Sequence, residues 1–329
     1  MDDEIKSSKS KRQTKLSAFA KYAWFVLGFN ILVILWGVFL RASKSGDGCG
    51  QYWLTCHGEV IPSAPEFKTV IEFTHRLSTA LDGLIMLVLL GWAIYIWYLS
   101  RSRESRHILY LTIGSMFFVL TEAAVGAGLV LTGNTAEAQT NARPFWAMGH
   151  LINTFILLTF LSLTAWFAST RRRFRFKSEP KVVALIAVGV LAILFVGLSG
   201  SLAALSNMLF PSVTIADGIA KDFSATSDAL LRLRISHPIL SILTVVYLIF
   251  LTGWLKVWSG NDPRVTFWSN AVSVLALVQL LFGGATLLTL APIIMQLGHL
   301  LLADLLWIAI VLMCASYYST PEDGMESVI

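Results

Sequence analysis

Charged side chains are scarce in this chain of 329 residues, where Asp, Glu, Lys and Arg together make up 14%. Soluble domains of ordinary composition carry about 25%. Hydrophobic residues make up 56%, which is more apolar surface than a water-soluble fold needs to bury. The composition therefore excludes an ordinary soluble protein. The net charge of +5 does not require a nucleic-acid partner, because basic loops beside a membrane explain it.

Long apolar runs fill much of the chain, and eight of them are long enough to cross a bilayer as helices, at about 20 residues each. They lie near 22–42, 69–99, 108–132, 144–169, 182–206, 235–257, 266–290 and 295–318. The alternation typical of a membrane β-barrel does not appear, and helices satisfy their backbone hydrogen bonds internally in lipid. The sequence predicts an all-α, polytopic membrane protein with eight transmembrane helices.

Positive charge is concentrated in alternate loops. The chain starts with a polar, basic stretch, Met1–Lys21, that lacks the cleavage site of a signal peptide. Most of the 25 Lys and Arg residues lie in this stretch or in segments on the same side, including a predicted cytoplasmic anchor at 171–177. The positive-inside rule then places both termini in the cytoplasm. We expect a multi-pass protein of the cell membrane.

Cysteine is also scarce, with three residues in the chain. Cys49 and Cys56 lie in the first outer loop, on the oxidising side of a bacterial membrane, so a disulfide between them fits that compartment. Cys314 lies in the last span, where a small buried hydrophobic side chain is favoured over a redox role.

The two halves of the chain share short motifs in the same order. Gly-His-Leu occurs near the start of the fourth span at 149–151 and near the start of the eighth at 298–300. In the third and seventh spans, Glu122 corresponds to Gln279. The pattern predicts two tandem four-helix bundles, 1–178 and 179–329, with pseudo-two-fold symmetry about the membrane normal.

Histidine is rare, with six residues, yet four of them stand near the outer start of an even-numbered span. These four are His75, His150, His237 and His299. A lone histidine inside a membrane is more often a core residue bonded to a neighbouring helix. Four at one depth favour a functional site, since polar groups are costly in lipid.

Haem iron suits these histidines better than a bare metal ion does. Zinc or copper would need its ligands clustered in one small site, whereas two helices of a bundle can offer one histidine each to a haem. Gly149 and Gly298 would allow close approach. We predict one site from His75 with His150 and a second from His237 with His299. Four arginines near the same boundary suit either haem propionates or the membrane interface, namely Arg76, Arg143, Arg232 and Arg234.

Acidic residues distinguish the halves. Glu72 stands three residues before the first of the four histidines, on the same helix face, and Arg234 has the corresponding position in the second half. This asymmetry predicts chemistry in the first half, with Glu72 as the catalytic carboxylate. Glu122 and Asp82 are further acidic residues in the spans, and their involvement is left open.

The motifs together resemble haem A synthases, specifically the bacterial type with a cysteine pair in the first outer loop. The resemblance rests on the Arg-Ala-Ser-Lys-Ser-Gly stretch at 41–46, the cysteine pair, the Glu-Phe-Thr-His-Arg block at 72–76 and the two Gly-His-Leu sites. It runs from the first span to the last. Glu122 departs from the family, which commonly has glutamine there, and this implies a more acidic substrate pocket.

The resemblance implies an oxidoreductase that converts the C8 methyl group of haem O to a formyl group by successive hydroxylations, supplying haem A to terminal oxidases. It implies that His75 and His150 bind the iron of the substrate haem, with Glu72 in the same site. It further implies that His237 and His299 bind a haem b cofactor, and that the two loop cysteines form a disulfide.

The partners expected on this basis are haem O, a haem O synthase, a quinone or other electron acceptor, and membrane lipid. A homo-oligomer is left open. A b-type cytochrome that transfers electrons without modifying haem is the main alternative, because it would use the same histidines. A transporter with a midplane site is disfavoured, since the histidines lie near one surface.

Overall fold

The structure is a computed structural model and is almost entirely helical. It describes residues 2–170, 172–174 and 179–320, with side chains from Ser17 onward except at 173, 174 and 320. Within these ranges the helices are α1 Asp2–Ala42, α2 Phe67–Ser100, α3 Arg103–Leu131, α4 Arg143–Thr170, α5 Pro180–Leu209, α6 Ile215–Phe223, α7 Ala229–Leu233, α8 Ser236–Trp258, α9 Pro263–Leu288 and α10 Ile293–Tyr317. Two short strands, β1 Arg173–Phe174 and β2 Ser319–Thr320, pair antiparallel.

Eight segments of the described chain are long and apolar enough to cross a membrane, which confirms the predicted all-α, multi-pass class. The sixth span combines α7 and α8 as Ala229–Trp258. The first span was expected near 22–42, and the corresponding candidate span is Ser17–Ala42, within a helix that begins at Asp2. The segment between α5 and α8 contains α6 and α7, and Thr214 begins α6 by accepting a hydrogen bond from the backbone N–H of Asp217 at 3.1 Å.

The spans pack in two groups of four. In the first group α1 packs on α2, α2 on α3, α3 on α4, and α4 back on α1. In the second, α5 packs on α8, α8 on α9, and α9 on α10. Helices of the two groups also pack on one another, α4 on α5 and on α10, and α1 on α10. The pseudo-two-fold symmetry of the expected halves and their division after residue 178 stay predictions, and that boundary borders 175–178, outside the described residues.

Trp307 of α10 joins the two groups. Its indole stacks on Phe155 of α4 with ring centroids 4.6 Å apart, and its Nε1–H donates to the carbonyl of Phe155 at 2.7 Å and to Oγ1 of Thr159 at 3.0 Å. In lipid, helices associate through such packing and hydrogen bonds, because lipid tails are as apolar as the side chains. Helices α4 and α10, which carry His150 and His299, are thereby held together at the centre of the molecule.

Only 172–174 of the predicted cytoplasmic anchor lie within the described residues. Arg172 approaches Oγ of Ser319 at 3.3 Å and the carboxylate of Asp262 at 3.9 Å. Burial lowers the pKa of its guanidinium below the usual value. Arg172 therefore connects the segment after α4 with β2 and with the start of α9. This contact role adds to the anchoring role expected for residues 171–177.

Candidate functional site

The four predicted ligands lie at the end of the bundle that carries the first loop, between α1 and α2. Each stands about two helical turns inside the start of its span, where the spans begin at Phe67, Arg143, Ala229 and Ile293. Successive spans alternate in direction, so these four starts share one side. The ligands are His75, His150, His237 and His299.

His237 and His299 face each other. Their ring centroids are 6.2 Å apart and their planes cross at 86°. A metal–imidazole bond is about 2.0 Å, so two imidazoles on opposite sides of one ion have centroids about 6 Å apart. Nδ1 of His237 lies 3.1 Å from the carbonyl of Val196; donation to that carbonyl leaves Nε2 available for metal. This spacing and the free nitrogen fit bis-histidine haem.

Glycine on a neighbouring helix backs three of the four rings. A β-carbon would lie 2.8 Å from Cε1 of the imidazole at two of these glycines and 3.0 Å at the third, which is tighter than nearly all β-carbon contacts. Glycine therefore lets the rings pack closely against the next helix without displacement. The pairs are Gly37 with His75, Gly200 with His237, and Gly283 with His299. Gly149 and Gly298, which the sequence suggested for this purpose, do not contact a histidine in this way.

The first pair has a carboxylate as its neighbour. His75 and His150 are close enough for their charges to interact. Nδ1 of His150 contacts Oε2 of Glu122 on α3, and no other described residue offers either atom a hydrogen bond. Thr154, one turn after His150, donates to Oε1 of Glu122 at 2.5 Å. The His150 side chain is 42% accessible, against 15% for Glu122, so the imidazole faces open space with the carboxylate behind it.

The corresponding pair in the second half differs. Nε2 of Gln279 lies 3.5 Å from Nε2 of His299, which is a long contact. Glu122 instead approaches Nδ1 of His150, so the two side chains face different ring nitrogens. Nδ1 of His299 is buried, and it has no hydrogen-bond partner within the ranges that the structure describes. His150 and His299 therefore differ in the neighbouring side chain, a carboxylate for His150 and an amide for His299, and in the ring nitrogen that it approaches.

Glu72, the predicted catalytic carboxylate, is 3% exposed and bonded on both oxygens. Oε1 accepts from Nη2 of Arg76 at 2.5 Å, and Oε2 accepts from the backbone N–H of Cys49 at 2.8 Å. Cys49 and Cys56 form a disulfide, which confirms that expectation. Glu72 therefore links the disulfide loop to α2 one turn before the histidine.

Three of the four arginines considered for propionates or the membrane interface have polar partners on neighbouring segments. Arg76 donates to two carbonyls of the disulfide loop, and Arg143 to two carbonyls of the loop between α3 and α4. Arg234 pairs with Asp222 of α6. Arg41, which sequence reasoning did not select for this role, lies near enough to His150 to interact with it electrostatically.

Two buried aspartates lie deeper in the spans. Asp82 accepts a hydrogen bond from Nδ2 of Asn30 at 2.9 Å, which accounts for its burial. Asp304 is fully buried, and its oxygens have no hydrogen-bond partner among the described residues. Sequence reasoning missed Asp304, although a charge in an otherwise apolar span is a visible signal.

Sequence comparison relates the chain to known proteins. Residues 20–311 match the COX15-CtaA family, described as cytochrome oxidase assembly protein. The chain is 38% identical over 301 residues to a "Protoheme IX farnesyltransferase" of Thermus thermophilus, covering 91% of this chain and 48% of that protein. It is 33% identical over 133 residues to a "Heme A synthase" of Halalkalibacterium halodurans, covering 40% and 42%. The chain thus spans about half or less of the length of these relatives. The family match covers most of the chain, and this protein therefore belongs to the COX15-CtaA family of cytochrome oxidase assembly proteins.

Proposed function

We propose that this protein is a haem A synthase, an oxidoreductase that converts the C8 methyl group of haem O to a formyl group by successive hydroxylations. The observation that carries the proposal is a pair of facing histidines at haem-ligand spacing in a chain of this family. The name "Heme A synthase" of the Halalkalibacterium relative supports it.

The two histidine pairs take different haems in this proposal. His75 and His150 bind the iron of haem O, the substrate, and His237 and His299 bind a resident haem b. A bound haem b would supply one-electron redox chemistry and pass electrons from the substrate site to an acceptor such as a quinone. The Phe155–Trp307 contact between α4 and α10 holds the two sites at a constant separation.

Glu72 acts on the substrate in this proposal. Oxidation of a methyl group leaves a positively polarised carbon, which a fixed carboxylate stabilises and from which it can accept a proton. Arg76 and the N–H of Cys49 hold the Glu72 carboxylate in place. The competing interpretation is that Glu72 only fastens the loop.

Two substitutions separate these roles. Glu72→Gln keeps the size and an acceptor oxygen but removes the charge, so we expect haem to bind while haem O or its singly hydroxylated product accumulates. Arg76→Lys weakens the loop contacts, since Lys lacks the planar fork of Arg, and leaves the carboxylate. We expect this control to retain the formyl product. Equal product profiles from both variants would assign Glu72 to loop fastening.

Pigment extraction tests the function itself. Cells that express this chain together with a haem O supply are expected to contain a formyl haem, detected by chromatography and by its reduced spectrum. His237→Ala and His299→Ala should each remove the haem b spectrum and the product together. A haem-containing protein that yields no formyl haem would support the b-type cytochrome instead.

A haem O synthase is the proposed partner. The Thermus relative is named a farnesyltransferase, and 48% of it is covered by the match, which leaves room for a second enzyme in that chain. Co-purification of a haem O synthase with this protein in native membranes tests the partnership, and recovery of the tagged chain without it would count against it. We also propose a cell-membrane location with both termini cytoplasmic, which a reporter fused to the C-terminus checks.

A further inference from the structure

The contact between Glu122 and His150 is the unusual feature of the first site. A carboxylate within a membrane span is costly unless a partner uses it. Here the partner is an imidazole on the next helix, and Nδ1 of His150 contacts Oε2 of Glu122. Neither atom has a hydrogen-bond partner elsewhere in the described part of the chain, so this contact is the polar interaction available to both.

Thr154 fixes the orientation of the carboxylate. Its hydroxyl lies 2.5 Å from Oε1 of Glu122 and 2.9 Å from the carbonyl of His150. One oxygen of Glu122 is thus held by the same helix that carries the histidine, and the other oxygen is turned to the ring. Such an arrangement sets which ring nitrogen carries the proton.

We propose that Glu122 is a positioning residue whose carboxylate accepts a hydrogen bond from Nδ1–H of His150, aims Nε2 at the substrate iron, and makes His150 a stronger electron donor than His299. A metal-bound histidine commonly donates its second N–H to a carboxylate, which fixes its orientation and raises its basicity as a ligand. In the second half the corresponding residue is the neutral Gln279, which lies 3.5 Å from Nε2 of His299. This inference rests on the proposed function.

The difference gives electron flow a direction. A more strongly donating ligand favours the ferric form of the iron, so the haem at His75 and His150 has the lower reduction potential of the two. Electrons then pass from the substrate site to the second site, as an oxidation of the substrate haem requires. Glu122 would set this order without contacting the reacting methyl group.

A redox titration of the full-length purified protein, loaded with protohaem, tests the proposal. Substitution of His75 by Ala identifies the signal of the first site by its loss. Glu122→Gln keeps an acceptor oxygen but removes the charge. We expect this variant to lose about tenfold in its preference for ferric haem at the first site, which is an upward shift of about 59 mV for a one-electron couple. We also expect about tenfold faster transfer of that haem to apomyoglobin.

Two further variants bracket the result. Thr154→Val removes the hydroxyl that orients the carboxylate and should shift the first potential in the same direction by less, which decides the question if the Glu122 variant does not fold. Gln279→Leu is the matched control and should change the second haem alone. An unchanged first potential in both first-site variants, or an equal shift of both haems in either of them, would overturn the proposal. A wild-type protein that binds no haem at His75 and His150 would instead refute the proposed function.

Discussion

Gly283→Ala should weaken haem binding in the second half. A β-carbon at Gly283 would lie 2.8 Å from Cε1 of His299. Carbon atoms attract best at about 3.5 to 4.0 Å, so the ring must move by about 0.7 Å or more. The ring is also the expected ligand of haem b, and its movement shifts Nε2 from its present position relative to His237.

The size of the effect follows from the packing. Inserting a methyl group into a filled site costs about 1–3 kcal/mol. If the ligated geometry bears that cost, haem affinity falls about 5- to 150-fold, since about 1.4 kcal/mol corresponds to tenfold. The next residue offers a control, because a β-carbon at Gly284 would have no atom within 4 Å. Both substitutions make the same change in helix propensity, so this contribution cancels.

The haem-to-protein ratio of purified protein and the rate of haem transfer to apomyoglobin measure the effect. We expect Gly283→Ala to lose the haem of the second half faster than wild type and Gly284→Ala to match wild type. Equal haem retention in the two variants would refute the argument that glycine is needed for the ring to pack on α9.

Trp307→Phe keeps a ring on Phe155 but removes the indole N–H bonds between the two groups of helices. We expect the free energy of unfolding to fall by about 1–2 kcal/mol, which lowers the melting temperature in detergent. The control Trp254→Phe, at an exposed position of its span, should leave the melting temperature unchanged. Equal melting temperatures of the two variants would contradict the assigned contact. Cys49→Ser opens the disulfide loop and should cost about 2.5 kcal/mol by loop entropy. An unaltered melting temperature in that variant would show that Glu72 and the rest of the loop hold the fold without the covalent bond.

The architecture was predictable from the sequence because apolar length alone determines which segments can span a bilayer. Eight spans were expected, and the described part of the chain has eight helical segments long and apolar enough to be spans. The four histidines were visible for a related reason, since polar residues in apolar runs stand out. The disulfide followed from two cysteines in one outer loop. Each of these signals is local in the chain.

The contacts that shape the sites were not predictable in the same way. Glu122 and His150 lie on different helices, and only their packing brings Oε2 to Nδ1. Gly37 of α1 packs against His75 of α2, and no pattern in the sequence of its own span indicates this contact. The short helix α6 was missed because its apolar residues recur within nine positions, too few for a clear period.

A loop is fastened to a histidine-bearing helix in each half. Glu72 holds the disulfide loop three residues before His75, and Arg234 holds α6 three residues before His237. Opening either loop therefore disturbs the backbone that carries one of the proposed iron ligands. Loop closure and iron ligation are then linked equilibria: a haem that binds the ordered histidine stabilises the closed loop, and a closed loop raises haem affinity by the same factor. Cleavage of these loops by a protease thus reports the haem occupancy of the site beneath.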